Sequence, residues 1–333
     1  MKSHILCFGE ILMRLSPPNN LRLSQTSLLE VQFAGSEANV AVDLAQLGQP
    51  SSFVTCVPDT EVGRMCLGAL KRYDVSTNRS MFRGHRLGLF YLEMGVGQRA
   101  TKVIYDRLDS SMATLTKGQI DWREVLKDVS WLHWSGVTPA ISQTAADATL
   151  EALQMARTLN IPISCDLNHR ASLWQYGKHP SDIMPELVDY CHLLVGDGDT
   201  IGSYFGIYEH DYDKLAERTL VAFPHLKYIA LTARKAFHAS HNTYQGFLHD
   251  RTTLFHSKEY DIPNILDRIG TGDAFMAGLI YGFQKKTGSS QQVIEFATAS
   301  AALKHTIFGD FNLVTVAEVE ALVNGSTGGK VLR

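Results

Sequence analysis

From Val129 onward the chain keeps a rhythm that few architectures accommodate: short apolar runs alternate with longer stretches of helical periodicity. Trp131–Trp134, Ile161–Cys165, Leu193–Val195 and Tyr228–Thr232 read as strands. Gln143–Leu159, Asp213–Phe223, Asp273–Gln284, Ser290–Lys304 and Val316–Val323 read as helices, with Asp213 suited to a cap or a first turn. Parallel strands need a long crossover, which a helix fills, and strands apolar on both faces need cover on both. The pattern predicts an α/β fold with a central, mainly parallel sheet and helices on both faces. The N-terminal part opens in the same style, with strand Ser3–Ile11, helix Ser36–Leu47, strand Ser52–Val57 and helix Glu61–Tyr73.

Two stretches break the rhythm. Leu12–Ser16 and Leu21–Phe33, around the turn Pro17-Pro18-Asn19-Asn20, alternate as half-exposed strands do. Leu87–Met94 and Thr101–Tyr105 read as a hairpin around Gly95-Val96-Gly97-Gln98. Segments at about 12–33 and 87–106 therefore predict a small β-lid on a single domain spanning 1–333. The Gly-rich tail Asn324–Lys330 reads as mobile.

Composition narrows the function. A chain of 333 residues buries roughly three quarters of its unfolded surface and needs neither disulfide nor metal to fold. Lys and Arg number 31 against 34 Asp and Glu, a net charge of −3, which argues against a nucleic-acid partner. The five cysteines are scattered and form no C-x-x-C pair, as expected for buried, reduced thiols in a cytoplasmic protein. There is no signal-peptide pattern and no apolar run approaching ~18 residues, so no membrane partner is expected. His133, His169, His192 and His305 lie in or beside apolar segments and read as packing residues. His238 and His241, on one predicted strand, would face opposite sides and share no ion.

The chemistry concentrates in Asp267-Arg268-Ile269-Gly270-Thr271-Gly272-Asp273-Ala274-Phe275. A Gly-rich turn opening a helix leaves backbone N–H groups pointing outward, and with the helix dipole they attract an anion, usually phosphate. Asp273 has two readings here: an N-cap, for which Asp is common, or a base for an incoming hydroxyl. The two preceding glycines favour the base. The dipole would lower its pKa, a tolerable weakness in phosphoryl transfer, where positioning and charge neutralisation dominate. No G-x-x-x-x-G-K-[ST] and no G-x-S-x-G is present, and the one approach to G-x-G-x-x-[GA], Gly95–Ala100, lies inside the hairpin.

Asp267–Phe275 resembles the C-terminal signature of the ribokinase-like (pfkB) carbohydrate kinases. Gly9-Glu10 and Gly35-Ser36-Glu37-Ala38-Asn39 resemble the N-terminal one. Gly9–Pro17, Lys102–Arg107, His133–Pro139, Asp166–Arg170, Ala239–Asn242 and Leu303–Thr306 resemble the kinases of that family that act on 2-keto-3-deoxygluconate. The resemblance implies transfer of the ATP γ-phosphoryl group to a terminal sugar hydroxyl. It implies Asp273 as catalytic base and Gly270, Thr271 and Gly272 as the anion hole. Gly35, Asn39, Phe90, Tyr105, Arg107 and Arg170 would contact the substrate, and Asn168, Asp197, Thr232 and Arg234 would serve the nucleotide side.

The residue chemistry agrees for the arginines, because a guanidinium fork suits a sugar acid's carboxylate. Phe90 stands where these kinases usually carry Tyr, and Tyr91 beside it would face the other way. Asp197-Gly198-Asp199-Thr200 replaces an N-x-x-E element that organises Mg²⁺ through water, and Asp197 reads equally as a turn residue. Lys235 and Ala34 also depart from common glycines. The expected cofactors are ATP and Mg²⁺, held through water and the ATP phosphates, with a monovalent cation possible. The expected partners are a small-molecule sugar or sugar acid and further copies of the chain, joined as a homodimer or higher homo-oligomer through exposed lid strands. A ketose kinase such as a fructokinase, or a non-catalytic sugar-sensing relative, are the alternatives.

Overall fold

The computed structural model describes residues 4–285 and 288–325. In chain order, β1 (His4–Phe8), β2 (Leu12–Ser16) and β3 (Glu30–Ala34) precede α1 (Ser36–Gln46), β4 (Ser51–Val54), β5 (Cys56–Val57) and α2 (Glu61–Lys71). Then follow β6 (Met81–Phe82), β7 (Leu89–Glu93), β8 (Lys102–Asp106), α3 (Trp122–Leu126), β9 (Val129–Ser135), α4 (Gln143–Thr158) and β10 (Ile163–Asp166). The next elements are α5 (Pro180–Val188), β11 (Leu193–Gly196), α6 (Gly198–Phe205), α7 (Tyr212–Ala222) and β12 (Tyr228–Ala233). The last are β13 (Ala236–His238), β14 (His241–His249), β15 (Leu254–His256), β16 (Tyr260–Ile262), α8 (Thr271–Lys285), α9 (Ser290–Lys304) and α10 (Val316–Val323).

The main sheet runs β13-β14-β12-β11-β10-β9-β1-β4, and its stretch from β12 to β4 is parallel throughout. Strand periodicity explains the two-sided core. Ile5 and Cys7 point into one apolar layer with α1, α2, α8 and α9, while Leu6 and Phe8 point into the other with α3 to α7. Helix α8 is buried from Ala274 to Tyr281, as its unbroken apolar run requires. Truncating Phe275 to Ala there would cost about 3–5 kcal/mol. All five cysteines are buried free thiols. No helix of the described residues is long and apolar enough to cross a membrane.

A second, four-stranded sheet, ordered β3-β2-β7-β8, stands apart from the main one. Its inner face carries Leu12, Ala34, Phe90, Leu92 and Met94, packed with Tyr105 and Ile269. Arg14, Phe90 and Tyr105 lie in one cross-strand row, so they project to the same side.

Several boundaries differ from the sequence reading. Within Leu21–Phe33 only Glu30–Ala34 is strand. Leu23–Gln25 is a 3₁₀ turn, where the Gln25 side chain accepts from the Arg22 N–H at 2.9 Å and no face is buried. Ser52–Val57 is two strands, because Cys56–Val57 leaves the main sheet to pair with Met81–Phe82. Helix α7 is capped by Asp211, whose carboxylate accepts from Asp213 and Lys214, so Asp213 is a first-turn residue. The short helices α5 and α6 went unread because Pro185 and two glycines mask their periodicity. Ser3 of the first predicted strand and 326–330 of the Gly-rich tail fall outside the described residues.

Candidate active site

Two helix N-termini meet beyond the carboxyl ends of the parallel strands, where sheets of this kind bind ligands. One opens α8 and the other opens α1. Gly270 precedes α8 with φ +85°, and a Cβ there would overlap the Asp310 carbonyl oxygen, so the turn needs glycine on both counts. At Gly35, before α1, a Cβ would overlap the Glu10 carbonyl oxygen. In each case the missing Cβ lets a neighbouring loop approach, the Asp310 carbonyl at Gly270 and the Glu10 carbonyl at Gly35.

Asp273 bridges the helices. Its Oδ1 accepts from Ser36 Oγ at 2.7 Å and its Oδ2 from Asn39 Nδ2 at 2.7 Å. Asn168 Nδ2 donates to the same Ser36 Oγ at 2.7 Å. Both Asp273 oxygens thus serve α1, which is not what a simple cap of α8 does. Burial pushes Asp273 up to about 6, against the pull of the Asn39 and Ser36 hydrogen bonds and of the Arg170 charge. The expected lowering by the helix dipole is corrected: desolvation outweighs it.

Asp166 lies close by, and a Cβ at Gly272 would sit 3.8 Å from its Oδ2. Burial, and then the Asp273 charge, pushes it up to about 7. Its Oδ1 accepts from the Asn168 N–H at 3.0 Å. Sequence reasoning quoted Asp166 and Ser36 within signature segments but assigned them no role. Their sequence signal was the short spacing to Asn168 and Asn39, whereas their convergence on Asp273 is visible only in the fold. Asp197 caps α6, accepting from the Thr200 N–H and hydroxyl, both at 2.9 Å, so it is a turn residue here. Its charge also reaches Asp166. Asp166 feels the charges of both Asp273 and Asp197; these are hard oxygen groups of the kind that hold a hydrated Mg²⁺ through its waters, and among the described residues they do not converge as direct ligands of one ion.

The two arginines differ. Arg170 is exposed, donates to its neighbour's carbonyl at 2.9 Å, and makes no ion pair among the described residues. Arg107 is buried, and its Nε and Nη2 both engage Glu10, the former at 2.8 Å. Its fork, expected to face a ligand carboxylate, is spent on a protein one. Tyr105 lies beside it, 5.7 Å from guanidinium carbon to ring centre, and Phe90 packs 6.1 Å from Tyr105.

At the other end of the cleft, Thr232 and Arg234 lie at and just after the end of β12. Arg234 is exposed and close enough to Arg268 to lower its pKa, second to burial. Two neighbouring guanidinium groups invite a polyanion, with the Asp267 carboxylate offsetting part of the charge on Arg268. Arg268, whose Nη2 also reaches the Ala239 carbonyl at 2.6 Å, is a further residue the sequence did not single out. His238 and His241 are corrected too. They flank the β13–β14 turn, paired across it with rings 5.7 Å apart, because the segment is a hairpin and not one strand.

The chain matches the family model described as pfkB family carbohydrate kinase over residues 2–220. It is 30% identical over 333 residues to a 2-dehydro-3-deoxygalactonokinase of Haloferax volcanii, covering 99% of each chain. It is 26% identical over 317 residues to a 2-dehydro-3-deoxygluconokinase of Bacillus subtilis, covering 94% of this chain and 92% of that one. The crystal structure of 2-dehydro-3-deoxygluconokinase from Thermotoga maritima superposes with a TM-score of 0.93 at 35% identity, covering 97% of this chain and all of that one.

Proposed function

Since the chain belongs to the pfkB family of carbohydrate kinases, we propose that it transfers the γ-phosphoryl group of ATP to the terminal hydroxyl of a 2-keto-3-deoxy sugar acid, 2-keto-3-deoxygluconate first. The observation that carries the reading is Asp273, buried, oriented through both oxygens, and seated at the N-terminus of α8, where a helix leaves its first N–H groups without intrahelical partners.

In this reading Asp273 takes the proton of the attacking hydroxyl. A carboxylate raised to about 6 is a better base near neutral pH than a free one, yet stays mostly ionised. Gly270, Thr271 and Gly272 neutralise charge on the migrating group. Arg170 holds the sugar carboxylate. Gly35 and Asn39 hold the near end of the sugar, Phe90 and Tyr105 wall it, and Arg107 keeps Glu10 and the small sheet in register beneath it. Asn168, Thr232, Arg234 and Arg268 serve the triphosphate. Asp166 and Asp197 would hold Mg²⁺ through water, and the ion would screen the phosphate charge. A monovalent cation is not required by this reading, because Arg14 and Lys304 already lie against the acidic groups behind the turn.

The small sheet acts as a lid that excludes water from the transferring group. Val31, Val103 and Ile104 are exposed on its edge strands β3 and β8, which supports pairing with a second copy. Reduced buried cysteines support a cytoplasmic location.

A coupled ADP-release assay with MgATP tests the reading across 2-keto-3-deoxygluconate, 2-keto-3-deoxygalactonate, fructose, ribose and gluconate. A preference for a keto-deoxy acid is expected. One observation favours a neutral ketose instead, the engagement of Arg107 by Glu10, and preference for fructose would select that reading. Silence on all five sugars would overturn the keto-deoxy acid reading and point to a sugar outside this set or to a sensor.

A further inference from the structure

We propose that Arg14, a residue of the small sheet, is a positioning residue for phosphoryl transfer that clamps this sheet to the phosphate-binding turn. The proposal rests on the kinase reading above. Arg14 is fully buried, and its guanidinium spans two carboxylates: Nη2 lies 2.8 Å from Asp267 Oδ2, and Nη1 pairs with Asp310 Oδ1. Its Nε donates to Ser16 Oγ at 3.0 Å.

Each partner carboxylate belongs to a loop that shapes the turn. Asp267 accepts the Ile269 N–H at 3.0 Å through Oδ1 and the Gly309 N–H at 3.2 Å through Oδ2, tying the start of the turn to the 307–310 loop. Asp310 presents its carbonyl where Gly270 has no Cβ. Lys304, also fully buried, donates to the Ile307 carbonyl at 3.0 Å, and its Cε would lie 3.2 Å from a Cβ on Gly270. Ile269, inside the turn, packs on the inner apolar face of the same small sheet.

Fold stability is a poor explanation for this arrangement. Burial pushes Asp310 up and Lys304 down, so those two charges are held at a cost even though the acids hold Arg14 up, and a well-packed apolar pair often holds a fold as well as a buried ion pair. What charges with fixed hydrogen-bond directions supply is orientation. An anion hole works only when its N–H groups are held to within about 0.5 Å. Arg14 also shares a cross-strand row with Phe90 and Tyr105. The strand row facing the sugar and the turn facing the phosphate are thus joined through one side chain, and the affinities for the two ligands become linked.

The test uses the full-length enzyme with MgATP and the sugar it turns over best, comparing wild type, Arg14→Met and Arg14→Lys. Thermal melts establish folding. Binding of a non-hydrolysable ATP analogue, with and without sugar, gives the linkage. Arg14→Met is expected to fold, to raise its sugar KM at saturating ATP by about the fivefold that the lost linkage accounts for, and to lose about 100-fold in kcat, the scale of an ångström-sized misplacement. The analogue should bind wild type at least ~5-fold tighter with sugar present, and the gain should vanish in the variant. Arg14→Lys, with the charge but without the fork, should fall between. Near-normal kcat and intact linkage in Arg14→Met would overturn the proposal. If that variant does not fold, Arg14→Lys decides, and wild-type kcat and linkage there would also overturn it. The identity of the preferred sugar tests the functional reading; the ratio of variant to wild type on that sugar tests Arg14.

Discussion

The small sheet, with the loop that follows it, sends two buried arginines to different carboxylates. Arg107, just past β8, closes on Glu10 between β1 and β2, beneath what we propose as the sugar side. Arg14, on β2, closes on Asp267 and Asp310, behind the turn we propose binds phosphate. The pairs share their chemistry and their burial. They differ in what the carboxylate is attached to. Glu10 follows a core strand, so Arg107 fixes a wall. Asp267 and Asp310 belong to the loops that shape the anion-binding turn, so Arg14 fixes the direction of N–H groups. A buried ion pair therefore reveals its role through the backbone its acid controls.

The contrast presupposes a reacting centre at Asp273, and breaking that centre gives the largest effect. Asp273→Asn should lose about a thousandfold in kcat while ATP binding persists, measured by turnover and by calorimetry. In the wild type, kcat/KM should fall as pH drops through about 6, where Asp273 takes up its proton. Stability moves the other way. The folded state holds this proton more tightly than the unfolded chain, so the group destabilises increasingly as pH rises from about 4 to about 6 and constantly above. Urea midpoints across that window check the sign.

Next comes the phosphate side. Gly270→Ala must place a Cβ at φ +85° against the Asp310 carbonyl, and should cost about 100-fold in kcat with little change in sugar KM. A loss in sugar KM instead would dissolve the distinction between the two sides. Arg170→Gln should raise KM for a keto-deoxy acid about 10- to 100-fold, leave a neutral ketose unaffected, and shift the acid limb of the pH profile upward, because the Arg170 charge holds Asp273 down. Smallest in turnover is Arg107→Met. It strands Glu10 without its partner and should lower stability by about 3 kcal/mol, with kcat changed by less than about threefold. A kcat loss matching that of Arg14→Met would make both arginines members of one network.

The parallel sheet was legible because its evidence is local. Residues such as Ile5 and Leu6 are apolar in succession, and a strand apolar on both faces requires two covering layers whatever else the chain does. The turn at Gly270–Asp273 was legible for the same reason, since the glycine spacing and the apolar run behind it lie within the eleven residues from Gly270 to Ile280. Leu21–Phe33 misled because alternation without burial on either face does not make a strand. Arg14 was passed over because one arginine on an alternating strand reads as a solvated charge. Its partner Asp310 lies 296 positions away.

Local periodicity and spacing thus determined the layers of this protein and the place where phosphate chemistry could occur. Tertiary structure alone decided that Ser36 and Asn39 would hold Asp273 across more than 230 positions, that burial would raise its pKa where a helix terminus by itself would lower it, and which arginine would be left open to a ligand. The physical reason is that desolvation and ion pairing depend on what surrounds a charge in space, and no spacing along the chain encodes that surrounding.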